Sequence, residues 1–222
     1  MFGRLDASSF SDSVRFYHGE FEIILSKVTA CYHLMLSDGV LVPNDENRIR
    51  DSLLIDYLRN PNVLRQVGMP EVLFDRETLE DNSVGRTDIR IISPDTFTEP
   101  KAYYIIECKR LDSVNTTGRT GLNAKYIENG IIRFVTKQYS SYYRVNGMIG
   151  FVVTPLDIHA NTDCINTLLQ TSFSEANTNR KITQANFIDG FEYHYSSSHS
   201  DSDNVPLDIY HLMFDFSGSI IS

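Results

Sequence analysis

The 222-residue chain is sparing with cysteine, short of positive charge and without a long apolar run. Cys31, Cys108 and Cys164 are odd in number and far apart. That excludes a disulfide framework and a Cys-rich zinc site, and it points to a reducing compartment. The longest apolar stretch, around Met148–Thr154, is too short to span a bilayer and suits a buried strand. Met1-Phe2-Gly3-Arg4-Leu5-Asp6 lacks the basic flank and apolar stretch of a signal peptide, so a cytoplasmic location is expected. Neither an internal repeat nor a domain boundary is visible, and no helix-turn-helix or zinc module marks a DNA-reading domain. At this length, one α/β domain with a sizeable core over residues 1–222 is expected.

A net charge of −9 argues at first against a polyanionic partner. Its distribution argues less strongly. Residues 101–150 carry Lys101, Lys109, Arg110, Arg119, Lys125, Arg133, Lys137 and Arg144 against only Glu107, Asp112 and Glu128. This local surplus is read either as a phosphate-binding region or as a solvated helix face.

The chemistry-bearing stretch is Gly85-Arg86-Thr87-Asp88-Ile89-Arg90, followed by Ala102-Tyr103-Tyr104-Ile105-Ile106-Glu107-Cys108-Lys109-Arg110. Both halves are rich in β-branched and aromatic residues, with turn-formers at Ser93-Pro94-Asp95 between them, so a hairpin is expected. Residues two apart in a strand share a face, which puts Glu107 and Lys109 together and Cys108 on the other side. Cys108 then reads as a core residue, since no histidine stands at a recognisable spacing for a nucleophile. A hairpin brings Asp88 towards Glu107. Two carboxylates and a lysine can form a divalent-metal site with a cationic helper; a surface salt bridge is the plainer alternative. The apolar Tyr104, Ile105 and Ile106 favour the former, because they set the charges at the edge of a buried strand, where desolvation must be offset.

Helical periodicity covers residues 8–36, a packing or dimerisation element, and a second segment from Asn44 or Asp45 to about Asn60, with Pro61 blocking continuation. Glu46 flanks the apolar stripe of that second helix. It either complements the helix dipole or, if the helix packs beside the acidic strands, joins their site. Glu71–Asp75 reads as a first short strand, 76–84 as a turn, and Asp112–Leu122 as a mobile loop beside the site. A helix is expected from Ala124 to about Arg144, weakened at Gly130, with Arg133 and Lys137 on one face and Gln138 and Tyr142 on one face. A central strand over 148–154 and a helix over 161–171 follow. Ser196–Asn204 reads as a low-complexity loop, and Ile209–Phe216 as a late strand pairing near Phe191–Tyr195.

Gly85-Arg86-Thr87-Asp88 together with Glu107-Cys108-Lys109 resembles the PD-(D/E)XK, or restriction-endonuclease-like, nuclease superfamily. Thr87 stands where that superfamily often has proline. The resemblance implies an αβββαβ core over residues 44–154, a central mixed sheet flanked by helices, with an N-terminal helical extension (8–36) and a C-terminal elaboration (155–222). It implies that Asp88, Glu107 and the Cys108 backbone carbonyl ligate Mg²⁺ or Mn²⁺, with Glu46 an additional acid and Lys109 acting on the attacking water or on developing charge. Gln138 and Tyr142 resemble the Gln-x-x-x-Tyr element of the recombination-exonuclease branch; Tyr142 as core is the competing reading. Arg133, Lys137 and Arg110 complete the expected substrate contacts. The expected partner is DNA, with the N-terminal helix available to a second copy or to another subunit. The competing expectation is a catalytically silent scaffold of the same fold or a DNA-binding subunit of a larger complex.

Overall fold

The computed structural model describes residues 11–76, 87–139 and 142–221. Gly85, Arg86, most of the turn expected over 76–84 and the Ser140-Ser141 part of the Gln138–Tyr142 element lie outside them.

The first described element is a 27-residue helix, α1 (Ser11–Ser37), ending in a Schellman turn at Gly39. Gly39 sits at φ +67°, its N–H donates to Leu36 O, and the Val40 N–H donates to Met35 O. Phe21, Ile24, Leu25, Val28, Cys31, Tyr32 and Met35 are buried, so the apolar side of α1 is used within this chain's core. Phe21 stacks on Tyr104 at 4.7 Å and Tyr32 on Phe214 at 4.1 Å. A side chain at Gly147 would meet the Phe21 ring at 3.0 Å, so glycine there permits the close approach of helix and sheet.

After β1 (Val42–Pro43) come α2 (Glu46–Asp51), which continues as a π-helical stretch over Ser52–Leu58, and α3 (Pro61–Gln66). Asp45 caps α2 by accepting from the Arg48 N–H at 3.0 Å. The second helix ends at Leu58, before Pro61, as expected, and a separate helix begins at Pro61. Pro61 occupies the first position of α3, where its missing N–H has no intrahelical role, and Asn60 caps it.

The sheet then forms: β2 (Leu73–Arg76), β3 (Ile89–Ile92), β4 (Tyr103–Leu111), β5 (Val145–Val152), β6 (Thr178–Gln184), β7 (His194–Ser200) and β8 (Pro206–Asp215). Its spatial order is β2-β3-β4-β5-β8-β7-β6. Both pairings of β5, with β4 and with β8, are parallel; the other four are antiparallel. The expected hairpin is present, with Ile89 opposite Ile106, while Asp88 lies one residue before β3 rather than within it. β5 is the central strand, buried along its whole length. Short β9 (Ile220–Ile221) pairs with β1. One face of the sheet is covered by α1, α2 and α3; the other by α4 (Leu122–Tyr126), α5 (Ile132–Val135) and α6 (Ile158–Thr171). Cys108 lies in the first layer, and Ile105 and Leu111 in the second, as strand alternation requires. Among the described residues, no helix is long and apolar enough to cross a membrane.

The helix expected to reach Arg144 is shorter. α4 passes through a π-helical turn (Ile127–Ile131) into α5 and stops at Val135. Lys137, at φ +57°, makes a second Schellman turn: its N–H donates to Phe134 O and that of Gln138 to Arg133 O. Gln138 and Tyr142 therefore do not share a helical face. The loop expected over Ser196–Asn204 is also corrected, because residues through Ser200 belong to β7. Ser197 and His199 of β7 are satisfied through one hydrogen-bonded chain. The Tyr126 hydroxyl donates to His211 Nδ1, His211 Nε2–H to Ser197 Oγ, Ser197 Oγ–H to His199 Nε2, and His199 Nδ1–H to Ala176 O, each at 2.8 Å. The terminal carbonyl can only accept, which sets the direction of the whole chain. The late strand β8 forms as expected, beside β7.

Burial pushes His199 down to about 4 and His211 well below its ordinary value. Unfolded histidines titrate near 6.5, so the unfolded chain takes up protons that the fold refuses. Each of these histidines accordingly draws stability down as pH falls from about 6.5, by up to about 1.4 kcal/mol per pH unit. Imidazole ¹⁵N spectra are expected to show both rings neutral from pH 8 to pH 5, His199 as the Nδ1–H and His211 as the Nε2–H tautomer. A protonated ring at pH 5.5 contradicts the buried chain.

Candidate metal centre

Four elements meet at the end of β4. The first turn of α2 brings Glu46, the residue before β3 is Asp88, β4 carries Glu107 and Lys109, and α5 carries Arg133. Lys109 lies at the centre. Its Nζ stands 2.6 Å from Cys108 O, 2.7 Å from Glu107 Oε1, 3.1 Å from Glu46 Oε1 and 3.5 Å from Asp88 Oδ2. Side-chain exposure grades from 1% at Glu107 through 8% at Lys109 and 13% at Asp88 to 31% at Glu46, so the cluster opens on the Glu46 side.

The other carboxylate oxygens are tied to the frame. Arg50 Nη1 donates to Asp88 Oδ1 at 2.8 Å, the Tyr139 hydroxyl to Glu107 Oε2 at 2.8 Å, and the Arg110 N–H to Glu46 Oε2 at 3.1 Å. Arg133 Nη1 donates to Glu107 Oε1 at 3.0 Å and to the Tyr139 hydroxyl at 2.9 Å, and the Cys108 N–H to Asp88 Oδ2 at 2.8 Å. Arg50 also holds Asp51, which Arg76 reaches at 3.0 Å. Glu46 thus fills both roles open to it: it lies in the first turn of α2, and it joins the strands.

Burial, with the charge of Asp88 adding to it, pushes Glu107 up to about 7; Lys109 and Arg133 oppose the rise. Burial works against the Lys109 charge as well, but Glu107, Asp88 and Glu46 outweigh it and drive Lys109 upward, so the ammonium persists. Burial raises the Cys108 thiol well above its ordinary value, which fits a core cysteine rather than a nucleophile.

Other expected residues fall elsewhere. Lys137 is ion-paired with Asp203 and Asp201, away from the carboxylates. Tyr142 is half exposed. Arg110 lies at the rim, where its guanidinium holds Asn44 at 2.7 and 2.8 Å. The loop after β4 is tied down by Thr154, which accepts from the Ser113 N–H, and by Asn123, which donates to Thr116 O. Two site residues escaped the sequence reading. Arg50 follows Glu46 by one helical turn, a spacing that could have found it. Tyr139 had no such signal, because only the Schellman turn at Lys137 swings it back beneath Glu107.

No family model, curated protein or solved structure matches the chain.

Among the described residues, no three His, Cys, Asp or Glu side chains stand as close together as in a formed metal site. The carboxylates are spaced around an ammonium instead. The donor types nonetheless fit Mg²⁺ or Mn²⁺, which take hard oxygen ligands, and the ammonium is a stand-in cation among them. Glu46, Asp88, Glu107 and the Cys108 carbonyl are the candidate ligands.

Arg50 is 2% exposed and joins two carboxylates. Arg50→Ala is expected to lower the free energy of unfolding by about 3 kcal/mol or more, because it leaves Asp88 and Asp51 without their buried partner. Arg50→Lys should restore only part, since a single ammonium cannot span both acids as the guanidinium fork does. Urea unfolding at fixed pH measures both.

Proposed function

We propose that the chain is a Mg²⁺- or Mn²⁺-dependent nuclease that hydrolyses phosphodiester bonds of DNA, built on a restriction-endonuclease-like core. The observation that carries this reading is the convergence of three carboxylates and the Cys108 carbonyl on the Lys109 ammonium, at the junction of α2, β3 and β4. The succession α2, β2, β3, β4, α4–α5, β5 supports it, since that order, with an antiparallel β2-β3-β4 meander and a parallel β5, is the αβββαβ arrangement the motif implies.

When bound, the divalent ion supplies Lewis acidity and a water of lowered pKa. The chain's own groups do the rest. Arg50 orients Asp88, and Tyr139 with Arg133 orients Glu107, so both carboxylates face the shared cation position. Lys109 carries the positive charge that orients the attacking water or stabilises the phosphate oxygens as charge builds on them. On this reading Arg110 and Arg133 supply the contacts to substrate phosphates. An acidic protein approaching a polyanion needs such local positive charge.

A second reading draws on the same cluster. Lys109, Arg50 and Arg133 neutralise the acids already, as a silent nuclease-fold scaffold would require. Calorimetry separates the two: Mg²⁺ or Mn²⁺ binding that Asp88→Ala removes favours the nuclease.

Asp88→Ala, Glu107→Ala and Lys109→Ala are each expected to reduce Mg²⁺-dependent cleavage by at least about a hundredfold. Plasmid, linear duplex and single-stranded DNA serve as substrates, and circular dichroism checks that the fold survives. Full activity in all three variants would sink the proposal.

A further inference from the structure

We infer that the Lys109 ammonium is an internal plug for the cation position, so that a divalent ion enters only by displacing it and the same event frees Lys109 for the substrate. This rests on the metal-dependent reading above and adds a regulatory step to it.

Three features of the cluster support the exchange. First, Lys109 has three N–H donors but four oxygen neighbours, from Cys108, Glu107, Glu46 and Asp88. A position so rich in acceptors suits an ion of higher coordination number better than an ammonium. Second, each carboxylate turns one oxygen towards Nζ, where Asp88 Oδ2 also accepts from the Cys108 N–H and Glu107 Oε1 from Arg133, and has its other oxygen held by the frame. The holding groups are Arg50 for Asp88, Tyr139 for Glu107 and the Arg110 N–H for Glu46. Loss of the ammonium therefore leaves three carboxylates pinned in place rather than free to turn away. Third, the exit lies on one side. Beneath the lysine stem, a side chain at Gly130 would come 3.8 Å from Lys109 Cγ and only 2.2 Å from Met148 Cε, so the π-helical turn closes that side. Glu46, at 31% exposure, marks the open side.

Two cations cannot share one oxygen cage, since both the space and their like charge forbid it. A lysine seated there lowers the apparent metal affinity by the fraction of molecules it occupies. Once displaced towards Glu46, the ammonium stands at the mouth beside Arg110, where a phosphate would arrive. Metal entry and the availability of Lys109 are then one equilibrium.

Calorimetry with Mn²⁺ at fixed pH and ionic strength tests this. Lys109→Met should bind Mn²⁺ about tenfold more tightly than the natural protein, or better still, if the plug is seated nine-tenths of the time. Arg133→Met removes an equal charge beside Glu107 without vacating the cage, and its effect should be clearly smaller. If Arg133→Met tightens binding as much, charge alone explains the gain and the plug is overturned. It is also overturned if the natural protein binds Mn²⁺ and Lys109→Met binds it equally or less well. Binding by neither overturns the plug and the metal-dependent reading together. Should Lys109→Met not fold, the natural protein still decides. Its lysine side-chain ¹⁵N spectrum should show one ammonium slowed in exchange, lost as Mg²⁺ is titrated in. An ammonium signal unchanged at saturating Mg²⁺ refutes the exchange.

Discussion

A buried strand that carries ionised side chains must find them partners, and β4 does so at Glu107 and Lys109. The strand is paired with β5 along this stretch, and the Glu107 and Lys109 side chains are only 1% and 8% exposed, so water solvates these groups little. The desolvation of two such charges costs several kcal/mol each, and only close, well-directed opposite charges offset it. The structure meets that demand from α2, the start of β3, and α5 with the turn after it. An apolar pair at these positions would be the simpler way to fill a core. The charged cluster is thus the part of the molecule least explained by stability and best explained by chemistry.

The helices that supply the partners are both irregular. α2 runs into a π-helical stretch and α4 reaches α5 through one. Such turns change which face a helix presents and recur near functional sites. Here the first follows the turn bearing Glu46 and Arg50. The second lies where Gly130 lets the helix press on Met148 and the Lys109 stem. The left-handed Lys137 then ends α5 early, directing Tyr139 to Glu107 and releasing Tyr142 to the surface.

The far side of the sheet follows different physics. β7 is made of His, Tyr and Ser, and little in its composition argues for burial. It is buried because a directed chain of hydrogen bonds from Tyr126 through His211, Ser197 and His199 to Ala176 leaves no polar atom of that chain unpaired. β8 and β7 extend the sheet past β5, and α1 is stacked by Phe21 and Tyr32 on the opposite face. The elements before and after the central strands, α1 and β7–β8, are therefore continuous with the layers that hold the site.

What the sequence determined by itself is local and periodic: the long amphipathic α1, the hairpin of β3 and β4, the alternation that puts Glu107 and Lys109 on one face and Cys108 on the other, and the apolar central strand β5. These follow from spacing along one element, which a sequence displays directly. Asp88, Glu107 and Lys109 were legible as a group for that reason, and Glu46 was legible as one of two alternatives. Only the tertiary structure showed that both hold, by packing α2 beside β4. It alone recruited Arg50 and Tyr139, ended α5 at Val135, and turned Ser196–Ser200 into a strand. Each of these depends on a partner remote in the chain, an Asp88, a Glu107 or a His211, and no pattern within a single segment records which remote group will satisfy a buried charge or hydroxyl.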